Sequence, residues 1–260
     1  MKKIHRFFNG RLAVISSPGQ ENWYHWLLQV LPRLKILTES GVIYDKIYVD
    51  NVKFPWQFSS LELALQLLHI PKEKLFLPQG DSVTQAKKLI VPSVGHIPSK
   101  GKSFPPWLKR FLHKCFLPSK PLGGKFRKIY ISRSKASVRR IINEKKVTEF
   151  LTNEGFQTLY LEELSPLEQA AIFHRAKIIV GAHGSGFANL IFSKANTAVV
   201  EIDHGLPGHK QRSYYKQMAK EMNCRYFPVY TDLVTEEELE KDITVNMHSF
   251  KRLIYRLTNK

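Results

Sequence analysis

Apolar positions in this chain alternate between short β-branched runs and longer stretches at helical spacing. The runs at Arg11 to Ser16, Lys46 to Asp50, Lys87 to Val91, Lys128 to Arg133, Phe156 to Leu161, Lys177 to Val180 and Thr197 to Ile202 predict strands. Between them, Trp23, Trp26, Leu27, Val30, Leu31, Leu34 and Leu37 share one face of a helix that Pro32 should kink or divide. Further helices are predicted over Ser59 to His69, Trp107 to Phe116, Glu144 to Glu154 and Ser165 to Ala176, the last opening on Ser-Pro, and over the tail from Thr235 to Lys260. Strand and helix in turn predict an α/β layer structure with parallel sheets.

One unit stands out. Lys177 to Val180 runs into Gly181-Ala-His183-Gly184-Ser185-Gly186, then Phe-Ala-Asn189-Leu-Ile-Phe, then a second run that carries Glu201. This predicts a strand, a sharp turn, a helix and a returning strand. Ligands of such sheets sit outside the carboxyl ends of the strands, where backbone N–H groups at glycines and at a new helix start favour a phosphate. A glycine turn can also merely turn, but His183 at its tip has no packing reason to be there. The earlier strand ending at Ser132 and Arg133 leads into a loop with Lys135, Arg139 and Arg140, whose arginine forks suit a diphosphate. Asn143 can cap the helix from Glu144, in which case part of this loop is architectural. In the first half, His25 lies between Tyr24 and Trp26 and is either a core residue or aimed at a cleft. Asp50, at a strand end, is either a site carboxylate or a turn cap.

Composition narrows the partners. The 260 residues allow one large or two ordinary domains, and 40 Lys plus Arg against 22 Asp plus Glu give +18, which calls for an anionic partner: a nucleotide diphosphate, nucleic acid or an acidic membrane surface. Prolines and glycines gather between Pro92 and Arg127, and a domain boundary is expected near Pro118 to Lys125. The basic amphipathic segment Trp107 to Phe116 can lie on an anionic membrane or pack its apolar face inward. Cys115 and Cys224 are too few and too far apart for a disulfide framework or a zinc site. The first ten residues have a signal peptide's basic residues without its apolar core, and no run reaches the roughly 20 apolar residues of a membrane span, so a cytoplasmic protein is expected. No RNP, zinc-finger or helix-turn-helix pattern supports a basic nucleic-acid- or nucleotide-binding protein without transferase activity, which is the alternative reading.

Tyr130-Ile-Ser132-Arg133, Arg139-Arg140-Ile-Ile-Asn143-Glu144, Glu168-Gln169, the loop Gly181 to Asn189, Val200-Glu201-Ile202 and the amino-terminal Asn22-Trp-Tyr24-His25-Trp26 with Leu31-Pro32-Arg33 follow in an order and spacing that resembles glycosyltransferase family 61. Ser185 departs from that family's more usual alanine, and Trp23 from its tyrosine. The resemblance implies a GT-B-like α/β fold of two Rossmann-like domains facing a cleft. Residues 1–120 would be the acceptor side, residues 121–245 the nucleotide-sugar side, and residues 246–260 a helix packing back on the first domain. It also implies an inverting transfer from a nucleotide diphosphate sugar such as a UDP-sugar to a glycan or lipid-linked glycan, of the kind that builds bacterial capsular polysaccharide, at the inner face of the membrane.

Such a transfer needs a base for the acceptor hydroxyl and positive groups for the departing diphosphate. The diphosphate is expected at Arg133, Arg139 or Arg140 with the backbone of Gly184, Ser185 and Gly186. Asn143, Glu144 and Asn189 are expected to order those groups, and Glu201 to hold ribose hydroxyls or cap a turn. His25 is the candidate base and Asp50 its rival, while His183 is assigned to the phosphate or the donor sugar. No Asp-X-Asp motif occurs, so no metal or other cofactor is expected.

Overall fold

The computed structural model describes residues 4–78, 82–93, 104–117, 126–205, 214–233, 238 and 240–259. Two compact units divide after Leu117, and the linker expected at Pro118 to Lys125 lies outside the described residues.

The first unit is a parallel sheet in the order β3-β2-β1-β4, built from β1 (Ile4–Val14), β2 (Lys46–Tyr48), β3 (Leu75–Phe76) and β4 (Ser82–Ile90). β1 and β4 begin well before the apolar runs that predicted them. Their early residues pair from Ile4↔Ser82 onward, so backbone bonding extends the ladder through exposed positions such as Phe7. The helix expected from Trp23 to Leu37 is α1 (Trp23–His25), a π-helical turn at Trp26–Val30, and α2 (Leu31–Glu39). Pro32 lacks an N–H and its ring crowds the carbonyl one turn back, and the wider π turn just before it gives that ring room without breaking the helix. Trp26 is fully buried and donates its indole N–H to Ser60 Oγ at 2.8 Å, pinning this helix to α3 (Pro55–Leu67). α4 (Pro106–Phe116) turns Leu108, Phe111, Leu112, Cys115 and Phe116 inward, so the apolar face that a membrane would need is already buried.

The second unit is a parallel sheet in the order β6-β5-β7-β8-β9. In chain order it comprises β5 (Lys128–Ile131), α5 (Glu144–Asn153), β6 (Gln157–Leu159), α6 (Pro166–Arg175), β7 (Ile178–Ala182), β8 (Ala198–Gly205), α7 (Tyr214–Glu221), β9 (Arg225–Leu233) and α8 (Met247–Thr258). The sequence did not point to β9 because Pro228 interrupts it, and an edge strand is where a proline is tolerated.

The helix predicted after the glycine loop is a 3₁₀ helix over Ser185–Phe192, tightened where the Phe187 N–H bonds the Gly184 carbonyl at 3.0 Å. The tail is also corrected. Its helix starts only at Met247, with the Asn246 side chain accepting from the N–H groups of His248 and Ser249. Glu236 and Glu237 lie outside the described residues. Phe250, Ile254 and Leu257 of α8 join Tyr130, Val147 and Phe150 in the core of the second unit. Burial of each of those side chains contributes about 1.5–3 kcal/mol. No helix among the described residues is long and apolar enough to cross a membrane, and neither cysteine forms a disulfide.

Candidate active site

In the second sheet the chain passes from β5 to β6 on one side and returns to β7 on the other. The strand order therefore reverses between β5 and β7, and a crevice opens at their carboxyl ends. Ile131 pairs with Gly181 there, so the residues that follow, Ser132-Arg133 and His183-Gly184, leave the sheet side by side. Arg133 and Gly184 are in contact. A Cβ on Gly184 would fall 2.1 Å from Arg133 Nη1 and 3.1 Å from Cζ, so only glycine leaves room for the guanidinium. Gly184 has extended backbone angles, and the requirement is one of space, not of conformation.

The rest of Arg133 is fixed. Its Nη2 donates to the Val138 carbonyl at 2.9 Å and its Nε to the Arg139 carbonyl at 3.3 Å. Below it, Glu144 accepts from the Tyr130 hydroxyl at 2.7 Å, the Ser132 hydroxyl at 2.8 Å and the Arg133 N–H at 3.4 Å. Burial, and then the Glu144 charge, push the Tyr130 hydroxyl up, which keeps it a donor. Burial, followed by the neighbouring Arg139 charge, pulls the Arg133 guanidinium below its ordinary value.

The other residues of the basic loop are committed differently. Arg140 places its fork on Asp242, at 3.0 and 2.7 Å, with its own N–H on the same carboxylate at 2.9 Å. Arg139, held at φ +55°, donates its N–H to the Glu240 carbonyl and pairs with the Glu240 carboxylate at 3.1 Å, while its buried Nε has no partner among the described residues. Lys135 pairs with Glu163. Asn143 does not cap α5. Its amide clasps the Val245 backbone, donating to the carbonyl at 2.8 Å and accepting from the N–H at 3.0 Å. With the Ile141↔Ile243 bridge, these bonds fasten the basic loop to the segment before α8. That segment, Glu240 to Val245, is a part of the site's scaffold that the sequence did not indicate.

On the β7 side, fully buried Asn189 donates to the Gly186 carbonyl at 3.1 Å and to Gln169 Oε1 at 2.9 Å, folding the glycine loop back on itself. Gln169 in turn reaches the Leu161 and Leu164 carbonyls, and Glu168 closes a capping box with Ser165. Ser185 and Gly186 form the half-buried start of the 3₁₀ helix, where a Cβ on Gly186 would meet the tip of Leu161 at 2.6 Å. His183 has its Nδ1 2.6 Å from Glu201 Oε1 and 3.7 Å from Asp203 Oδ2, with the Tyr215 ring at 5.2 Å. The second oxygen of Glu201 accepts from the Tyr226 hydroxyl, which burial and the Glu201 charge push up.

Glu201 is only 1% exposed, and each of its oxygens meets one partner, His183 and the Tyr226 hydroxyl. His183, Glu201 and Asp203 have ligand atoms within 4.8 Å of one another, a spacing that also suits a cation. With the proton on Nδ1 the imidazole is an oriented donor to Glu201, and with the proton on Nε2 the same three residues offer a cation their ligand atoms.

The first unit holds the remaining candidates. His25 Nδ1 is 2.9 Å from Gln29 Oε1, which also accepts from the Ser17 hydroxyl at 3.2 Å. An amide oxygen only accepts, so Nδ1 is the donor in this bond. Gly19, at φ +74°, lets the loop pass the ring, since a Cβ there would be 3.1 Å from His25 Cδ2. Asp50 accepts from Gln20 Nε2 at 3.0 Å and donates its backbone N–H to the Ser16 hydroxyl oxygen at 2.9 Å. Ser16, Ser17, Gly19, Gln20, Asp50 and Asn51 line a cavity of about 270 Å³. Thus His25 borders a polar loop, and Asp50 is both a loop anchor and a cavity wall. The structure brings Arg133, Arg139, Glu144, His183, Gly184 and Glu201 to one crevice, whereas His25 and Asp50 belong to the other unit.

A family model described as Glycosyltransferase 61 matches residues 23–200. The chain is similar to a β-1,2-xylosyltransferase of Oryza sativa subsp. japonica, 32% identical over 107 residues, which is 40% of this chain and 18% of that protein. It is also similar to the EGF domain-specific O-linked N-acetylglucosamine transferase of Drosophila melanogaster, 30% identical over 118 residues, 44% of this chain and 22% of that protein. The matched region thus amounts to about a fifth of either relative's length.

Proposed function

The chain belongs to glycosyltransferase family 61, and from that premise we propose that it transfers a sugar from a nucleoside diphosphate to a hydroxyl of a glycan, with inversion at the sugar carbon. The observation that carries this reading is the Arg133 guanidinium seated on the Gly184 backbone at the strand reversal of the second sheet. It is a half-buried cation at the place where open α/β sheets take ligands. The diphosphate lies against Arg133 Nη1, with Arg139 adding charge. Arg140 and Asn143 act at one remove by securing their loop to the segment Glu240 to Val245. As in the GT-B arrangement that the motifs imply, the second unit takes the donor and the first the acceptor.

His25, whose Nδ1 is held by Gln29 and whose Nε2 lies away from that contact, removes the acceptor proton as the hydroxyl oxygen attacks the anomeric carbon and the bond to the diphosphate breaks. Asp50 is the alternative base. The charge left on the diphosphate is met by Arg133, so no divalent metal is needed for that step. A role in surface polysaccharide synthesis, with a lipid-linked acceptor at the inner face of a membrane, fits the +18 charge.

Binding and turnover separate these roles. Arg133→Ala should weaken a UDP-sugar by about tenfold or more, the worth of a charge-assisted hydrogen bond, whereas His25→Ala should leave donor affinity within about twofold and abolish transfer. An equal loss of donor affinity in both variants would overturn this division.

A further inference from the structure

We propose that the second unit carries a binding site for an acidic saccharide, apart from the donor crevice, in a cavity where α7 turns into β9. The cavity measures about 640 Å³ and is lined by Lys216, Gln217, Lys220, Asn223, Cys224 and Tyr226. That size falls within the roughly 300–1,000 Å³ of small-molecule sites.

Its place follows from the way the helix ends. Asn223, at φ +54°, bonds its N–H to the Lys220 carbonyl at 3.0 Å, and the Cys224 N–H bonds the Ala219 carbonyl at 2.8 Å, so the chain reverses within two residues. It then enters β9 at Arg225, whose N–H bonds the Thr197 carbonyl at 2.8 Å beside the start of β8. The cavity therefore lies toward the amino end of β9, whereas the donor crevice is at the carboxyl ends of β5 and β7.

The walls supply three kinds of group. Lys216 and Lys220 are exposed, share one face of α7 four residues apart, and form no ion pair among the described residues. Gln217 and Asn223 bring amides, which both donate and accept; Gln217 is steadied by its Nε2 bond to Glu221 Oε1 at 2.7 Å. Tyr226 offers its ring and not its hydroxyl, because the hydroxyl is bonded to Glu201. No carboxylate lines the cavity, and exposed Arg225 stands between Cys224 and Tyr226.

This combination selects a ligand class. Two ammonium groups without a lining carboxylate favour an anion. The amides suit sugar hydroxyls, and an aromatic face suits the C–H face of a sugar ring. An inorganic anion would use the lysines and leave the amides and the ring idle, and a neutral sugar would leave the lysines idle. A saccharide bearing carboxylates uses all of them. A nucleic acid would meet the same lysines, but a single ring is not the succession of aromatic side chains on which bases stack.

The probe is a hyaluronan hexasaccharide, in which glucuronate alternates with N-acetylglucosamine. Chitohexaose is its uncharged counterpart, and a thymidine hexanucleotide is an anion of another class. In calorimetry at about 0.1 M salt the hyaluronan hexasaccharide should bind at least about tenfold more tightly than either. The double variant Lys216→Ala, Lys220→Ala should weaken it about tenfold, the worth of two exposed charge contacts, and leave UDP-sugar affinity unchanged. Arg110→Ala with Lys114→Ala, an exposed pair at the same spacing on α4, should change it less than about twofold. Bound hexasaccharide should also slow iodoacetamide labelling of Cys224 in proportion to occupancy, and UDP should not displace it. No binding, equal binding of chitohexaose or of the thymidine hexanucleotide, equal losses in the two double variants, unprotected Cys224 or displacement by UDP overturns the proposal. None of these readouts depends on turnover, so their failure leaves the proposed transfer standing.

Discussion

Gly184→Ala is the sharpest perturbation of the proposed donor site, because it adds one methyl group and changes no charge. The new Cβ would sit 2.1 Å from Arg133 Nη1 and 3.1 Å from Cζ, well inside contact distance, so the guanidinium has to leave. Leaving breaks the bonds to the Val138 and Arg139 carbonyls and removes Nη1 from the crevice. Alanine adopts the extended backbone of Gly184 without strain, so the effect runs through Arg133 alone. A lost charge-assisted bond to phosphate is worth about 1.5–3 kcal/mol, or roughly ten- to a hundredfold in donor Kd. Overpacking costs stability by about 1–3 kcal/mol, a few degrees in Tm for each kcal/mol. Gly186→Ala is the control. Its Cβ meets only the flexible tip of Leu161, at 2.6 Å, so it should disturb stability with little change in donor affinity. Titration calorimetry with a UDP-sugar reads both variants, and a double-mutant cycle isolates the cause. In an Arg133→Ala background, Gly184→Ala should cost donor affinity nothing further, since the group it strikes is gone. Wild-type donor affinity in Gly184→Ala, or full additivity in the cycle, would refute the assignment of the diphosphate to this contact.

Three further outcomes follow from other contacts. Asp45, bonded by the Arg11 backbone and guanidinium, is held down to about 2, so the stability it contributes is present above the ordinary carboxylate range and is lost as pH falls through about 2; Asp45→Asn should flatten that limb of an acid unfolding curve. Asn143→Ala removes two bonds to the Val245 backbone and should cost about 1–3 kcal/mol in urea unfolding, with a smaller fall in donor affinity as the loop around Arg139 loosens. Burial pushes the Cys115 thiol up to about 12, so iodoacetamide at about pH 8 should label half-buried Cys224 in the folded chain and reach Cys115 only after unfolding.

The layer order and the two strand ends of the site were legible in the sequence because both are local. A β-branched run followed by glycines specifies a buried strand and a turn wherever it occurs, and the parallel pairing of β5 with β7 then places Arg133 beside Gly184. What could not be read was how each arginine of the basic loop is held. Arg133, Arg139 and Arg140 share a residue type and one short loop, and their fates are set by partners about a hundred residues later: Glu240 for Arg139, and Asp242 for Arg140, 102 residues away. One partner of Glu201 was hidden for the same reason, since the Tyr226 that bonds it lies on β9, the strand obscured by Pro228. The acidic residues at Glu240 and Asp242 have a further effect on the site. By engaging two of the three guanidinium groups, they confine the uncompensated positive charge to the third, the one burial already disfavours. In the donor site proposed above, a diphosphate would meet Arg133 where the glycine backbone leaves room for the guanidinium. On that proposal, placement of the donor depends on which cations the fold neutralises as much as on those it supplies.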